Sequence, residues 1–217
     1  MAVQIIDCDQ NSAEWFESRR GIPTASNFAT IMARGKGGGE SLTRKKYLYK
    51  LAGEVLTGAV QEGFTNAHME RGHEMEPDAR NMYALMTDAQ PQLVGFVRNG
   101  AKGASPDSLV GETGMLEIKT KLPDLLIDVL IRDEFPAEHK AQCQGALWVA
   151  EREWIDIAVY WPGLPLFIKR AYREESYIAD MSSAVDAFNS ELAEVVQKVR
   201  QYGLSDLPVT YGMPEAA

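Results

Sequence analysis

Asp107, Glu117 and Lys119 place two carboxylates and an ammonium in the stretch Ser105-Pro106-Asp107-Ser108-Leu109-Val110-Gly111-Glu112-Thr113-Gly114-Met115-Leu116-Glu117-Ile118-Lys119. The stretch reads as two short strands joined by a tight turn at Gly111-Glu112-Thr113. If Val110 faces Gly114, Asp107 lies opposite Glu117. Side chains alternate faces along a strand, so Glu117 and Lys119 share one face while Leu116 and Ile118 point the other way into a core. The chemistry that suits this set is metal-assisted attack on phosphate. Carboxylates are hard donors for Mg²⁺, which keeps positions open for water and phosphate oxygens. An ammonium beside them orients or deprotonates the attacking water and offsets charge on the phosphorus. Short acid–acid–lysine strings also occur on solvated hairpin faces, so the apolar flanks and the rest of the chain have to decide.

The elements that must position these residues begin with an amphipathic helix over Ser12 to Arg19, anchored by Trp15 and Phe16. Pro23 stops it, and Thr24 is placed to cap a second helix running to about Ala33. A helix N-terminus beside Arg19 suits a phosphate; the alternative is a plain cap and a surface charge. Ser41 caps a helix to about Thr57 that ends at Gly58, with Leu48, Leu51, Ala52, Val55 and Leu56 on one face. Its other face carries Arg44, Lys45, Lys46 and Lys50, a DNA-tracking or a solvated surface. Asn66 to Met86 reads as a long helix interrupted near Gly72, with a new start near Pro77. Glu76 then falls in a first turn, either as a favoured N-terminal acid or as a third carboxylate aimed at the metal. His68 and His73 do not share a helix face, which argues against a histidine zinc site.

Further along, Gln92 to Asn99 reads as a strand, and helices are expected over Leu122 to Ile131 and about Ala137 to Ala150. Gln142 on the second of these must find hydrogen-bond partners if buried: a water, a phosphate, the lysine or a structural group. Trp154 to Trp161 and Leu166 to Tyr172 are strands. A last helix covers about Glu174 to Gln201, with Ile178, Met181, Val185, Phe188, Leu192, Val195 and Val199 on one stripe. The expected fold is α/β, a mixed central sheet of four or five strands flanked by helices on both faces. Residues 1–204 form one domain and 205–217 a loose tail.

Composition bounds the function. At 217 residues, with 45% hydrophobic and 24% charged residues, the chain is globular rather than fibrous or disordered. Cys8 and Cys143 are too few for a disulfide framework, which fits a reducing cytoplasm. No signal segment or run of about 18 apolar residues predicts membrane insertion. The net charge of −9 opposes general DNA affinity, but Arg19, Arg20, Arg34, Lys36 and the Arg44 to Lys50 cluster concentrate cations early in the chain. The Gly35 to Gly39 loop lacks a subsequent Gly-Lys-Ser/Thr, so nucleotide hydrolysis gets no support.

Several separated blocks together resemble one family. Trp15, Arg19, Gly21 and Thr24-Ala25-Ser26; Gly72 with Glu76 and Asp78-Ala79-Arg80; Ser105-Pro106-Asp107; Glu117-Ile118-Lys119; and Gln142-Cys143-Gln144 with Trp148 are similar in order and spacing to the phage lambda exonuclease, or YqaJ-type viral recombinase, family of PD-(D/E)xK nucleases. The resemblance spans roughly Trp15 to Tyr172 and implies a restriction-endonuclease-like core. It implies a Mg²⁺-dependent enzyme, with Mn²⁺ as an alternative, that degrades the 5′-ended strand of linear double-stranded DNA to mononucleotides and leaves a 3′ overhang. By position, Asp107, Glu117 and the Ile118 carbonyl would hold the metal and Lys119 would serve the water. Glu76 would be the helix carboxylate nearby, and Gln142 would steady the constellation. Arg19, Ser26 and Ser105 would take the terminal 5′-phosphate. The implied partners are DNA, two further copies in a ring-shaped trimer and a phage single-strand annealing protein, and the implied setting is the cytoplasm of a bacterial host. Thr120-Lys121-Leu122-Pro123 departs from the many relatives that carry Cys-Pro directly after the lysine. An endonuclease of the same core and a non-catalytic DNA-end scaffold are the competing readings; clustered acids facing phosphate argue against the scaffold.

Overall fold

The computed structural model describes residues 2–39, 41–60 and 67–202. The tail expected over 205–217 lies outside the described residues, as does the side chain of His68. The elements in chain order are β1 (Gln4–Ile6), α1 (Ala13–Arg19), α2 (Phe28–Met32), α3 (Leu42–Thr57), α4 (Ala67–Thr87), β2 (Pro91–Gln92), β3 (Phe96–Asn99), β4 (Lys102–Ala104), β5 (Ser108–Val110), β6 (Gly114–Thr120), α5 (Pro123–Arg132), α6 (Lys140–Ala150), β7 (Trp154–Tyr160), β8 (Phe167–Tyr172) and α7 (Glu175–Arg200).

The main sheet has the order β2-β5-β6-β7-β8. β6 and β7 pair in parallel and every other pair is antiparallel, so the sheet is mixed. A parallel pair cannot be closed by a hairpin, and α5 and α6 supply the crossover between β6 and β7. Alternation along β6 divides the core. Leu116 and Ile118 pack with Val110, Ala158 and Tyr160 against Ala79 and Tyr83 of α4. Met115 packs with Leu109 and Ile155 against α2, α3, α6 and α7. Helices therefore cover both faces of the sheet, as the sequence predicts.

Four expectations are corrected. Gln92 to Asn99 is not one strand: the chain turns at Gly95, so β2 joins the main sheet while β3 joins a separate sheet of order β1-β3-β4. α4 is not interrupted near Gly72; it runs unbroken through Pro77. A proline inside a helix costs about 3 kcal/mol, and the burial of Ala79 and Tyr83 against the sheet offsets it. Thr24 does not cap a long helix. Its side chain makes no cap bond, and the chain continues as a single 3₁₀ turn (Ala25–Asn27) and the five-residue α2. On α7 the buried residue in the last turns is Val196, while Val199 is 52% exposed, so the stripe rotates off the core.

Between the sheet and α4, buried Tyr83 and Asp156 meet the more exposed Arg170. Asp156 on β7 accepts from Tyr83 Oη at 2.7 Å and from Nε and Nη2 of Arg170, both at 2.8 Å. Arg170 also stacks over Trp154, 3.6 Å from the ring centroid. Arg170→Met leaves Asp156 buried with Tyr83 as its donor but without its cation and, because Arg170 is partly solvated, is expected to destabilise the fold by about 1–2 kcal/mol. Chemical denaturation checks this; an unchanged midpoint would show that Tyr83 alone satisfies the carboxylate.

Candidate active site

The β5–β6 ladder pairs Ser108 with Leu116, Leu109 with Met115 and Val110 with Gly114. Extending this register by one residue sets Asp107 opposite Glu117. Asp107 Oδ2 accepts the Ile118 backbone N–H at 2.5 Å. Glu117 is 3% exposed, and its Oε1 accepts from Lys119 Nζ and from Gln142 Nε2, each at 2.5 Å. Gln142 reaches it from α6, and Gln144 on the same helix instead bonds the Tyr172 carbonyl and the Glu174 N–H. The predicted acid–acid–lysine–glutamine set is thus assembled at one point.

Its electrostatics are those of a crowded anionic site. Burial pushes the Asp107 carboxyl well above the usual carboxylate range, and the charges of Glu117 and, more weakly, Glu76 add to the push, with Lys119 opposing them. Burial works against the Lys119 ammonium, but Glu117 and Asp107 outweigh it and hold its pKa above that of an ordinary lysine. Two acids with one shared ammonium leave room for a further cation.

The second cluster forms around α1. Trp15 Nε1 donates to Ser105 Oγ at 2.9 Å and to the Gly95 carbonyl at 3.0 Å. The Arg19 guanidinium lies over the Trp15 ring, 4.0 Å from its centroid, and Nη2 donates to Thr24 Oγ1 at 3.4 Å. Thr24 Oγ1 in turn lies 3.3 Å from Ser26 Oγ. Burial lowers the Arg19 pKa, with Tyr47 and Glu54 countering it. No described carboxylate forms an ion pair with Arg19, so a largely enclosed cation faces the cleft with hydroxyls beside it. The long helix N-terminus expected after Thr24 is not formed, and what faces the cleft here is side chains.

Two features hold this cluster in place. Gly21 adopts φ +70° and donates its N–H to Glu54 Oε2 at 2.9 Å, while Tyr47 Oη accepts from the Thr24 N–H at 3.2 Å. Both acceptors come from α3, which braces the turn from behind. Gly145 on α6 lets α2 and the turn before it approach closely, since a Cβ there would meet Phe28 Cδ2 at 2.5 Å and Ala25 Cβ at 3.3 Å.

A cleft of about 310 Å³ is lined by both clusters, with Asp107, Glu117, Lys119 and Gln142 beside Arg19, Ser26 and Ser105. Glu76 does not line it. It lies on α4, bonded by Arg80 Nη2 and 3.7 Å from His73 Nδ1, and its charge reaches Asp107. The cation cluster on α3 is partly consumed: Arg44 pairs with Glu191 at 2.7 Å and lies over Phe188, 5.2 Å from its centroid. After Lys119, the Lys121 N–H donates to the Tyr160 carbonyl at 3.4 Å and Leu122 becomes the N-cap of α5, so the departing segment runs on into the crossover.

Among the described residues, no group of three His, Cys, Asp or Glu is arranged to hold a metal. The donor set is two carboxylates and a neighbouring main chain, which fits Mg²⁺ because that ion keeps several waters and needs only one or two carboxylates.

Sequence reasoning assigns no role to Arg80, Glu54 and Gln10. The i, i+4 spacing of Glu76 and Arg80 is a readable pairing signal. Glu54 is visible as an acid on the same face as Leu51 and Val55. Gln10, whose Nε2 donates to the Val94 and Pro106 carbonyls at 3.1 Å each, carries no such signal.

A model of the YqaJ-like viral recombinase domain matches residues 14–153. Among solved structures, an alkaline exonuclease from Laribacter hongkongensis, LHK-Exo, is 31% identical, with 89% of this chain and 98% of that one covered and a TM-score of 0.80. Its complex with dAMP gives 32% identity over the same shares and the same TM-score. A phage-related exonuclease from Haemophilus somnus 129PT, 14% identical over 82% of this chain and 96% of that one with a TM-score of 0.63, shares the fold. No curated protein is significantly similar. With its restriction-endonuclease-like sheet and its acid–acid–lysine site, the chain belongs to the YqaJ-like viral recombinase family of nucleases.

Proposed function

We propose that the protein is a divalent-metal-dependent 5′-to-3′ exonuclease that degrades one strand of linear double-stranded DNA to mononucleotides. The observation that carries this reading is the shared cleft in which Arg19, Ser26 and Ser105 stand beside Asp107, Glu117 and Lys119. A cation flanked by hydroxyls for a terminal phosphate, next to a hydrolytic set, is what counting off one nucleotide at a time requires. The dAMP held by LHK-Exo, a nucleoside monophosphate, supports a product of that size.

In this reading Arg19, Ser26 and Ser105 receive the 5′-phosphate and so place the next phosphodiester at the carboxylates. Asp107, Glu117 and the Ile118 carbonyl would hold Mg²⁺, or Mn²⁺ in its place. When bound, the ion lowers the pKa of water and offsets the negative charge of the phosphodiester. Lys119 directs an N–H toward the attacking water and toward the oxygens on which charge develops. Gln142 keeps Glu117 in a fixed rotamer by its bond to Oε1. Glu76 adds negative charge that reaches Asp107, which strengthens the site for a cation. The remaining strand, a 3′ overhang, is the substrate a strand-annealing protein needs, and both would act in the cytoplasm of a bacterial host during phage recombination. Among the described residues, no helix is long and apolar enough to cross a membrane.

The assembly proposed is a ring of three copies. Two apolar patches support it. Leu85 (86% exposed), Met86 and Leu93 lie near the β2 edge of the sheet, and Leu125 and Ile131 (79% exposed) lie on α5, which packs on β8 at the opposite edge. Two different patches on opposite edges suit a head-to-tail contact, the kind that closes into rings. Ile131→Asp is expected to shift the light-scattering mass from trimer to monomer; an unchanged mass would place the contact elsewhere.

Strand polarity tests the activity itself. On a linear duplex labelled at one 5′ end or one 3′ end, in Mg²⁺, the 5′ label should leave first, as a mononucleotide. Early release of the 3′ label would reverse the proposed direction.

A further inference from the structure

β5 begins at Ser108, whose pairing with Leu116 is the first of the ladder, so Asp107 stands one residue outside it. The main chain of a residue in that position needs other anchors if its carboxylate is to keep one orientation. Arg80 on α4 provides them. Its Nε donates to Ser108 Oγ at 3.0 Å, and its Nη2 donates to Glu76 Oε1 and, at 3.5 Å, to the Asp107 carbonyl. Ser108 is fully buried and donates its hydroxyl to that same Asp107 carbonyl at 2.6 Å. Two donors thus converge on the Asp107 carbonyl while the Ile118 N–H holds its side chain.

The guanidinium reaches this arrangement from the other face of the sheet. Ser108 shares its face with Val110, toward α4, whereas Asp107 shares its face with the cleft. Arg80 therefore ties α4 to the first residue of the hairpin without entering the cleft, and its side chain is only 14% exposed. Lysine could not do the same: a planar fork bonds a hydroxyl, a carboxylate and a carbonyl at once, whereas an ammonium acts as a compact point charge.

We infer that Arg80 is a positioning residue for the nuclease centre, fixing Asp107 and Glu76 relative to each other so that Asp107 presents its carboxylate to the divalent cation. The inference rests on the proposed role of Asp107 and Glu117 as cation ligands. Groups that orient metal ligands from behind typically change metal affinity by about 10- to 100-fold when removed.

The test is calorimetric titration with MnCl₂ in the absence of DNA, so that no turnover enters the reading. Arg80→Met is expected to raise the Mn²⁺ dissociation constant by about 10-fold or more. Arg80→Lys should stay closer to Arg80→Met than to the unmodified protein, because it keeps the charge and loses the fork. Ser108→Ala should shift affinity in the same direction, and it carries the test if Arg80→Met does not fold. A merely structural role would lower the melting temperature of the metal-free protein and leave the Mn²⁺ affinity of the folded protein in place. Unchanged affinity in the Arg80→Met and Ser108→Ala variants, or full recovery by lysine, overturns the inference while the cation reading stands. An unmodified protein that takes up no Mn²⁺ rejects the cation reading and this inference with it.

Discussion

Lys119→Ala should lower the rate of DNA hydrolysis by about 10²- to 10³-fold, the usual cost of removing one donor aimed at developing charge, while the protein still binds DNA ends. Lys119 contributes the positive charge at the carboxylate pair, with Nζ 2.5 Å from Glu117 Oε1. Its loss leaves Gln142 as the remaining side-chain donor to that oxygen among the described residues. The proposed end-binding cluster around Arg19 is braced by α3 and does not depend on the lysine, so affinity for ends should persist. Single-turnover cleavage and fluorescence anisotropy, measured on the same variant, separate the two properties. Turnover equal to that of the unmodified enzyme would remove Lys119 from the chemistry.

Arg19→Ala should erase the preference for 5′-phosphorylated over 5′-hydroxyl ends. A hydrogen bond to a charged group is worth about 1.5–3 kcal/mol, which corresponds to roughly a 10- to 100-fold change in that preference. The stacking of Arg19 on Trp15 and its bond to Thr24 hold the guanidinium in one place before any DNA arrives, so little ordering cost opposes phosphate binding. The hydrolytic set is untouched by the change, and cleavage of hydroxyl-ended DNA should proceed as before. Competition between the two kinds of end in one reaction gives the preference directly. If phosphorylated ends are still favoured by the same factor, the phosphate lies elsewhere.

The site is more legible in the sequence than its scaffold. The hairpin register comes from a tight turn and strict alternation, two local rules that tertiary context seldom overrides when one face is buried. Asp107 opposite Glu117 needs those rules alone. Gln142 can be narrowed to a residue needing partners, but its bond to Glu117 depends on how α6 crosses the sheet, which no local pattern encodes. The elements that sequence misplaces are those decided by long-range contacts. β1 and β4 are three residues each and exist because β3 lies between them, so their own sequences carry little strand signal. Pro77 looks like a helix start because the local cost of proline is plain and the compensating burial of Tyr83 is not. Thr24 looks like a cap, yet its hydroxyl is drawn to Arg19 and Ser26, contacts that form only once the Gly21 turn is braced by Glu54 and Tyr47. Arg80 stands in a block that carries the family resemblance, yet its role escapes notice for a related reason. Its pairing with Glu76 is local, but its reach to Ser108 and Asp107 crosses from helix to sheet.

End-dependent, one-strand hydrolysis at the proposed Asp107–Glu117–Lys119 centre is decided by incubating the unmodified enzyme with Mg²⁺ and an equal mixture of linear 5′-phosphorylated duplex and covalently closed circle. The expected result is conversion of the linear DNA to mononucleotides and single strands ending in intact 3′ termini while the circle survives. Nicking of the circle at a comparable rate would contradict it and assign the same centre to an endonuclease.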